Sequence, residues 1–229
     1  MLAQTILTTA SQFPDRLCYR CGEETLTYGE LARAAKRLAL HLIGDSRPVL
    51  VYGESSPLML IGFVGCLLAG RPYLPCEPSF PVKRLLYLAK EANAPLVLNT
   101  LPQLTGLEEF LPVLCLERFR EGPIPDLLPA EGDFPVYLLF TSGSTGIPKG
   151  VPVYQSNLLH FLDWILALPG FSAALGDYLI GQARFSFDLS VCNLYVSLFT
   201  GRCMVMIPKE EQDDYSKHLR DSSKVVVRF

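Results

Sequence analysis

Between residues 48 and 99 the sequence alternates short apolar runs with segments of helical length, and this alternation limits the folds open to it. "PVLVY" (Pro48–Tyr52) is a strand candidate rich in β-branched residues. Ser56 stands as an N-cap and Pro57 at the first helical position of the next segment. The apolar run Leu58–Gly70 is too short to span a bilayer and reads as a buried helix stopped by Gly70. "PYLPC" is a short extended piece, Pro81 opens another helix over residues 81–94, and "PLVLN" (Pro95–Asn99) is the next strand. Strand, helix, strand, helix, strand predicts an α/β fold in which helices flank a parallel sheet.

Upstream, Leu26–Leu42 reads as a helix. Thr27 and Glu30 have capping-box spacing, and Leu31, Ala34, Ala35, Leu38 and Leu42 form one apolar stripe. Downstream, residues 117–135 carry Pro123, Pro125, Pro129 and Pro135 and read as a connecting loop. Val136–Phe140 is an apolar strand, Ser156–Leu168 a helix apolar nearly all round and so expected to be buried, and "DYLIG" a strand. Leu189–Phe199 is a helix stopped by Gly201, and "RCMVMIP" is another strand. A polar helix and the strand "KVVVRF" follow. The alternation thus recurs in a second half. The expected organisation is layered sheets, with a first α/β subdomain over 1–135 and the start of a second over 136–229.

Composition excludes several functions. Lys and Arg number 20 against 23 Asp and Glu, a net charge of -3, so no broad basic surface for nucleic acid is expected. Seven cysteines are scattered, and Cys18–Cys21 is a lone CxxC without a second pair at zinc spacing. The N-terminus lacks a basic stretch followed by an apolar one, so it does not read as a secretion signal. A reducing cytoplasm and no membrane partner are expected. His41, His160 and His218 have no partners at metal or triad spacing. His160 reads as a core histidine on an apolar helix, and His41 and His218 as surface positions. No metal ligands are identified.

The densest chemical signal is "LLFTSGSTGIPKG" (Leu138–Gly150). Gly143 and Gly146 allow positive φ and close approach of backbone to a ligand. Successive N–H groups in such a turn form a nest for an anion. Thr141, Ser142, Ser144 and Thr145 add hydroxyl donors, and Lys149 adds a mobile positive charge. Phosphate suits that donor set. A Walker A loop needs Ser or Thr after the lysine, whereas Gly150 stands there and "VPVY" continues extended. No helix N-terminus is therefore expected behind the loop.

The string T-S-G-S-T-G-x-P-K-G resembles the signature of the adenylate-forming (AMP-binding) superfamily. "LTYGEL" (Leu26–Leu31) is similar to that family's first motif. "LLAGRPYLPCEPSFPVKRLLYL", with Arg84, is similar to its second, and "FSFDLSV" (Phe185–Val191) to its fourth. They occur in family order over essentially the whole chain. The resemblance implies ATP-dependent activation of a carboxylate to an acyl-adenylate, followed by transfer to a thiol. It assigns Thr141, Ser142, Gly143, Ser144, Thr145, Gly146 and Lys149 to the triphosphate.

Asp188 has two readings. By spacing, Asp188 or Ser190 caps the helix that follows. By resemblance, the aspartate of F-D-x-S in amino-acid-activating members pairs with the substrate's α-ammonium, and a carboxylate in an apolar pocket needs such a cation. Asp188 therefore favours an amino acid over the fatty or aryl acids of the CoA synthetases. "RFSFDLSVCNLY" and "NLLHFLDW" look most like the D-alanine–carrier protein ligases, which usually carry an acidic residue where Asn193 stands. Peptide-synthetase adenylation domains are the alternative. The implied partners are a small amino acid and a carrier protein with a phosphopantetheine thiol; the implied cofactors are ATP and Mg2+.

The motifs with which this family holds adenine, ribose and Mg2+, and its C-terminal lid with a catalytic lysine, do not occur in the chain. The sequence therefore reads as an N-terminal portion of such an enzyme, expected to bind nucleotide weakly and to be inactive alone. A binding module derived from the fold, or completion of the site by a second chain, are the alternatives. The apolar strand at 224–229 would leave a sheet edge through which copies could pair as dimers.

Overall fold

The computed structural model of the chain describes residues 2–103, 106–141, 148–169, 171, 176–181 and 183–207. The expected alternation is present. Strand β3 (Val49–Tyr52) leads through helix α3 (Pro57–Ala69) to β4 (Tyr73–Cys76), and then through α4 (Val82–Glu91) to β5 (Val97–Asn99). Ser56 occupies the N-cap of α3 without a side-chain capping bond, and Gly70 closes the helix at φ 71°, a left-handed position suited to glycine.

Before this unit come α1 (Leu2–Gln12), a hairpin of β1 (Leu17–Cys21) and β2 (Glu24–Thr27), and α2 (Tyr28–Leu42). After it come β6 (Val113–Cys115), β7 (Pro135–Thr141), β8 (Lys149–Tyr154), α5 (Gln155–Ala167), β9 (Tyr178–Gly181), α6 (Leu189–Thr200) and β10 (Cys203–Met206).

The strands form two sheets. A six-stranded sheet has the order β6-β5-β3-β4-β7-β8 and is parallel except for β8, which runs back along β7. A four-stranded sheet has the order β2-β1-β10-β9, with β1, β10 and β9 parallel. Each sheet draws strands from both sides of residue 135, so the expected division there does not coincide with a division between sheets. The polar helix and "KVVVRF" strand, and with them the expected pairing edge, lie outside the described residues.

Helix α3 packs on α2 and touches β3 and β4 of one sheet and β2 of the other, while α2 touches β1 and β2. A helix enclosed in this way has no solvent face, which is why its sequence is apolar all round and eleven of its residues are buried. Close approach is needed at Gly65: a Cβ there would lie 2.6 Å from Leu38 Cδ2 of α2. The opposite face of the large sheet is covered by α4, whose Leu85, Leu88 and Ala89 meet Leu50, Tyr52, Leu74 and Val97.

Helix α2 starts with the predicted capping box. The Thr27 hydroxyl accepts from Glu30 N, and the Glu30 carboxylate accepts from Thr27 N at 2.8 Å. The buried Tyr28 hydroxyl lies 2.7 Å from the carbonyls of Ser197 and Arg202, tying the start of α2 to the end of α6.

Two expectations are corrected here. Helix α5 is not buried all round: Gln155, Leu158, Leu162 and Ile165 are buried, but Trp164 is 59% exposed. Among the described residues its main strand contact is β8, the edge strand, and Asn157, His160, Asp163 and Trp164 are exposed. His160 faces outward on the same helix and is exposed, not a core histidine.

Candidate functional site

Ligands of open α/β sheets bind beyond the carboxyl ends of the strands, where neighbouring connections diverge. The large sheet has two such places. The connection from β3 runs toward β4 while that from β5 runs outward to β6; the connection from β4 runs back past β3 while that from β7 turns outward to β8. Thr141 and Lys149, the two ends of the glycine- and hydroxyl-rich segment, lie at the second place.

Thr141 ends β7 and Lys149 begins β8, and the two are direct partners across the antiparallel pair. Both side chains are exposed. The strand pairing brings together the two ends of the sequence-predicted anion loop, and β8 supplies the extended segment expected behind it. Ser142, Gly143, Ser144, Thr145 and Gly146 lie outside the described residues. The base of the hairpin is fixed by helix α5: Asp133 accepts from Ser156 N at 2.9 Å and from the Ser156 hydroxyl at 2.8 Å, and Gln155 donates to the Gly132 carbonyl.

Asp188 lies in the turn before α6 and is exposed; its carboxylate accepts from Leu189 N at 2.9 Å. The expectation of a carboxylate sunk in an apolar pocket is therefore corrected, and the capping contact is made at the adjacent amide. Ser190 bonds back instead, its hydroxyl donating to the Phe187 carbonyl at 2.6 Å. Asp188 is electrostatically coupled to β7: burial first, and then the negative charge of Asp188, push the Tyr137 hydroxyl up to about 12. Beneath this turn an aromatic group joins the sheet to α6. Phe63 stacks on Tyr73 at 4.2 Å and meets Phe185 edge-on at 5.1 Å, and the Tyr73 and Tyr195 hydroxyls lie 3.0 Å apart.

Sequence reasoning missed Glu77, the residue after β4. Its side chain is nearly buried, and Arg184 Nη1 donates to its Oε2 at 2.6 Å. The Ser186 hydroxyl donates to Oε1, and the Ser79 hydroxyl approaches Oε2 at 3.3 Å. A glutamate in "YLPCEP" had no local pattern to flag it, because Arg184 and Ser186, which hold its two oxygens, lie more than 100 positions away. Arg84 of the second motif stacks over the Phe80 ring at 4.1 Å. Asn193 donates to the Ile180 carbonyl at 3.0 Å and so links α6 to β9.

Among the described residues no group of three or more His, Cys, Asp or Glu side chains could hold a metal ion. All seven cysteines are outside disulfides, and burial raises the Cys18, Cys66, Cys76, Cys192 and Cys203 thiols. Cys18 is buried on β1 and its Sγ donates to the Leu26 carbonyl at 3.3 Å, while Cys21 is half-buried. Among the described residues no helix is long and apolar enough to cross a membrane.

Comparison with known proteins agrees with this geometry. The family model described as "AMP-binding enzyme" matches residues 6–227. The D-alanine–D-alanyl carrier protein ligase of Bacillus licheniformis is 36% identical over 217 residues, covering 91% of this chain and 43% of that protein. The Listeria innocua ligase of the same name is 39% identical over 219 residues, covering 87% and 41%. The chain thus spans about two fifths of the length of the curated relatives it matches. The nonribosomal peptide synthetase FmoA3 superposes with a TM-score of 0.82 at 26% identity, over 98% of this chain and 25% of that one. The N-terminal subdomain of Klebsiella oxytoca NpsA shares the fold, with a TM-score of 0.76 at 24% identity, over 97% of this chain and 57% of that one. With the motifs in order, the hairpin at the strand ends and the matched span, the chain belongs to the AMP-binding enzyme family.

Proposed function

We propose that this chain serves the ATP-dependent activation of an amino-acid carboxylate to an aminoacyl-adenylate, for transfer to a carrier-protein thiol in a reducing cytoplasm. The observation that carries the reading is the pairing of Thr141 with Lys149 across the mouth of the glycine-rich loop, at the carboxyl end of a parallel strand. The substrate carboxylate attacks the α-phosphorus and pyrophosphate leaves, so the protein's contribution is alignment and charge stabilisation. In this reading the Lys149 ammonium and the Thr141 hydroxyl hold the leaving phosphates. Mg2+ would share in neutralising the triphosphate, with ligands outside the described residues.

Asp188 supports an amino acid as the substrate. Its carboxylate is exposed beside Tyr137 and has spare acceptor capacity beyond the Leu189 amide, so it can receive an ammonium group. The relatives named for D-alanine make that amino acid the first candidate.

The test is exchange of labelled pyrophosphate into ATP by the whole protein, against a panel of D- and L-amino acids and fatty and aryl acids. Stimulation by a small amino acid is expected. Lys149→Ala should lower the rate by about 100-fold, as loss of one transition-state charge contact does. Stimulation only by a fatty or aryl acid would overturn the Asp188 argument, and an unchanged rate in Lys149→Ala would overturn the loop assignment.

A further inference from the structure

We propose that Glu77 is a positioning residue, a latch that sets where Asp188 stands over the end of the sheet. The inference rests on the reading of Asp188 as the amine anchor. Glu77 follows directly on β4, whose last residue Cys76 is fully buried, so its backbone is as fixed as the sheet. From there its carboxylate reaches across to the turn before α6. Arg184 Nη1 bonds one oxygen at 2.6 Å and the Ser186 hydroxyl bonds the other. A charge-assisted contact of that kind is both stronger and more directional than a neutral one.

The turn is therefore gripped from two sides. Arg184 and Ser186 are held by Glu77, while Phe185 between them is 4% exposed and packed edge-on to Phe63. Phe187 and Asp188 come next and are both exposed. The aromatic contact holds Phe185 in place, and the Glu77 contacts oppose rotation of the turn about it. Without them the Asp188 carboxylate would keep its place in the chain but lose its fixed direction relative to Tyr137 and the hairpin. Both Glu77 oxygens are engaged by the chain itself, so Glu77 acts through Asp188 and not on the substrate.

The experiment compares wild type with Glu77→Gln, with Glu77→Asp, and with Arg184→Gln, which removes the partner from its half-exposed end. In pyrophosphate exchange, Glu77→Gln and Arg184→Gln should raise KM for the amino acid about tenfold, with kcat and the KM for ATP within twofold. Glu77→Asp should recover part of the loss. In an Asp188→Asn background, Glu77→Gln should add less than twofold, because the residue it positions has lost its charge. A KM within twofold of wild type in both variants, or an equal rise with and without Asp188, would overturn the latch.

Hydrogen exchange separates this failure from failure of the amine reading. Amides 185–191 should exchange about tenfold faster in Glu77→Gln, with β3 unchanged. Unaltered protection of 185–191 overturns the latch whatever the substrate. Faster exchange in that segment, in a protein that activates no amino acid, supports the latch and removes the amine reading.

Discussion

The large sheet has two places where its connections diverge, and they have been finished in opposite ways. At the carboxyl ends of β3 and β5 the chain seals itself. Asn99 is 1% exposed, its amide donates to the Leu101 carbonyl at 2.7 Å, and its carbonyl accepts from Leu101 N at 3.2 Å. Gly53 N bonds the Cys76 carbonyl, Thr100 N bonds the Tyr52 carbonyl, and the Thr100 side chain fills the space beside Gly53 where a Cβ would stand. At the ends of β4 and β7, two strands away, polar side chains reach out instead. Thr141 and Lys149 are exposed, and Glu77 bonds residues of a distant segment. Equivalent topology therefore does not make equivalent sites. A place can hold a ligand only when its polar groups are left available to something other than the adjacent backbone.

The largest expected effect attacks the sealed end directly. Gly53→Ala puts a methyl against the Thr100 hydroxyl and within 3.0 Å of Thr100 Cβ, so backbone or side chain must shift. Overpacking of this kind costs about 1–3 kcal/mol. Denaturant unfolding should show the loss, while the KM for ATP in the folded fraction stays within twofold. A stability equal to wild type would mean that the seal is loose.

The next effect is smaller. Asn99→Ala leaves the Leu101 N–H and carbonyl without their side-chain partner, at a cost of about 1–2 kcal/mol for buried groups. The readout is again unfolding by denaturant, with faster amide exchange at Leu101. If exchange at Leu101 is unchanged, water already serves that end, and the contrast between the two ends weakens.

The same contrast explains what could be read from the sequence. The sealed end belongs to β3, α3, β4, α4 and β5, whose hydrophobic period and caps are local signals, and these elements were legible within three residues. The Thr27–Glu30 capping box and the Gly70 and Gly201 stops were legible for the same reason. The hairpin β1–β2 is not expected from the sequence although Gly22, at φ 56°, sits in its two-residue turn, because each of its strands is only four or five residues long. Helix α5 was misjudged because an apolar sequence reports hydrophobicity, not which faces a neighbour covers. At the open end, motifs with fixed spacing single out the two ends of the loop, Thr141 and Lys149, and Asp188 as candidates. Glu77 is not singled out, because a contact between residues 77 and 184 is made by the fold alone.

The smallest effect tests the boundary between dry sheet and open end, at Cys76. This residue is fully buried, and burial pushes its thiol up to about 12, with Arg84 opposing and Glu77 adding to the rise. Its ordinary value is 9.0, so the folded state holds the proton more tightly than the unfolded one. That contribution to stability is complete below about pH 9 and is lost as pH rises toward about 12. At pH 9.5 the loss amounts to roughly 1 kcal/mol. Cys76→Ala loses packing at every pH but should flatten the decline of unfolding free energy between pH 8 and 9.5. Alkylation should label the exposed Cys115 well before Cys76. Labelling of Cys76 as fast as Cys115 would mean that solvent entering beside Glu77 reaches past the end of β4, and that the latch sits in water and not at the rim of the core.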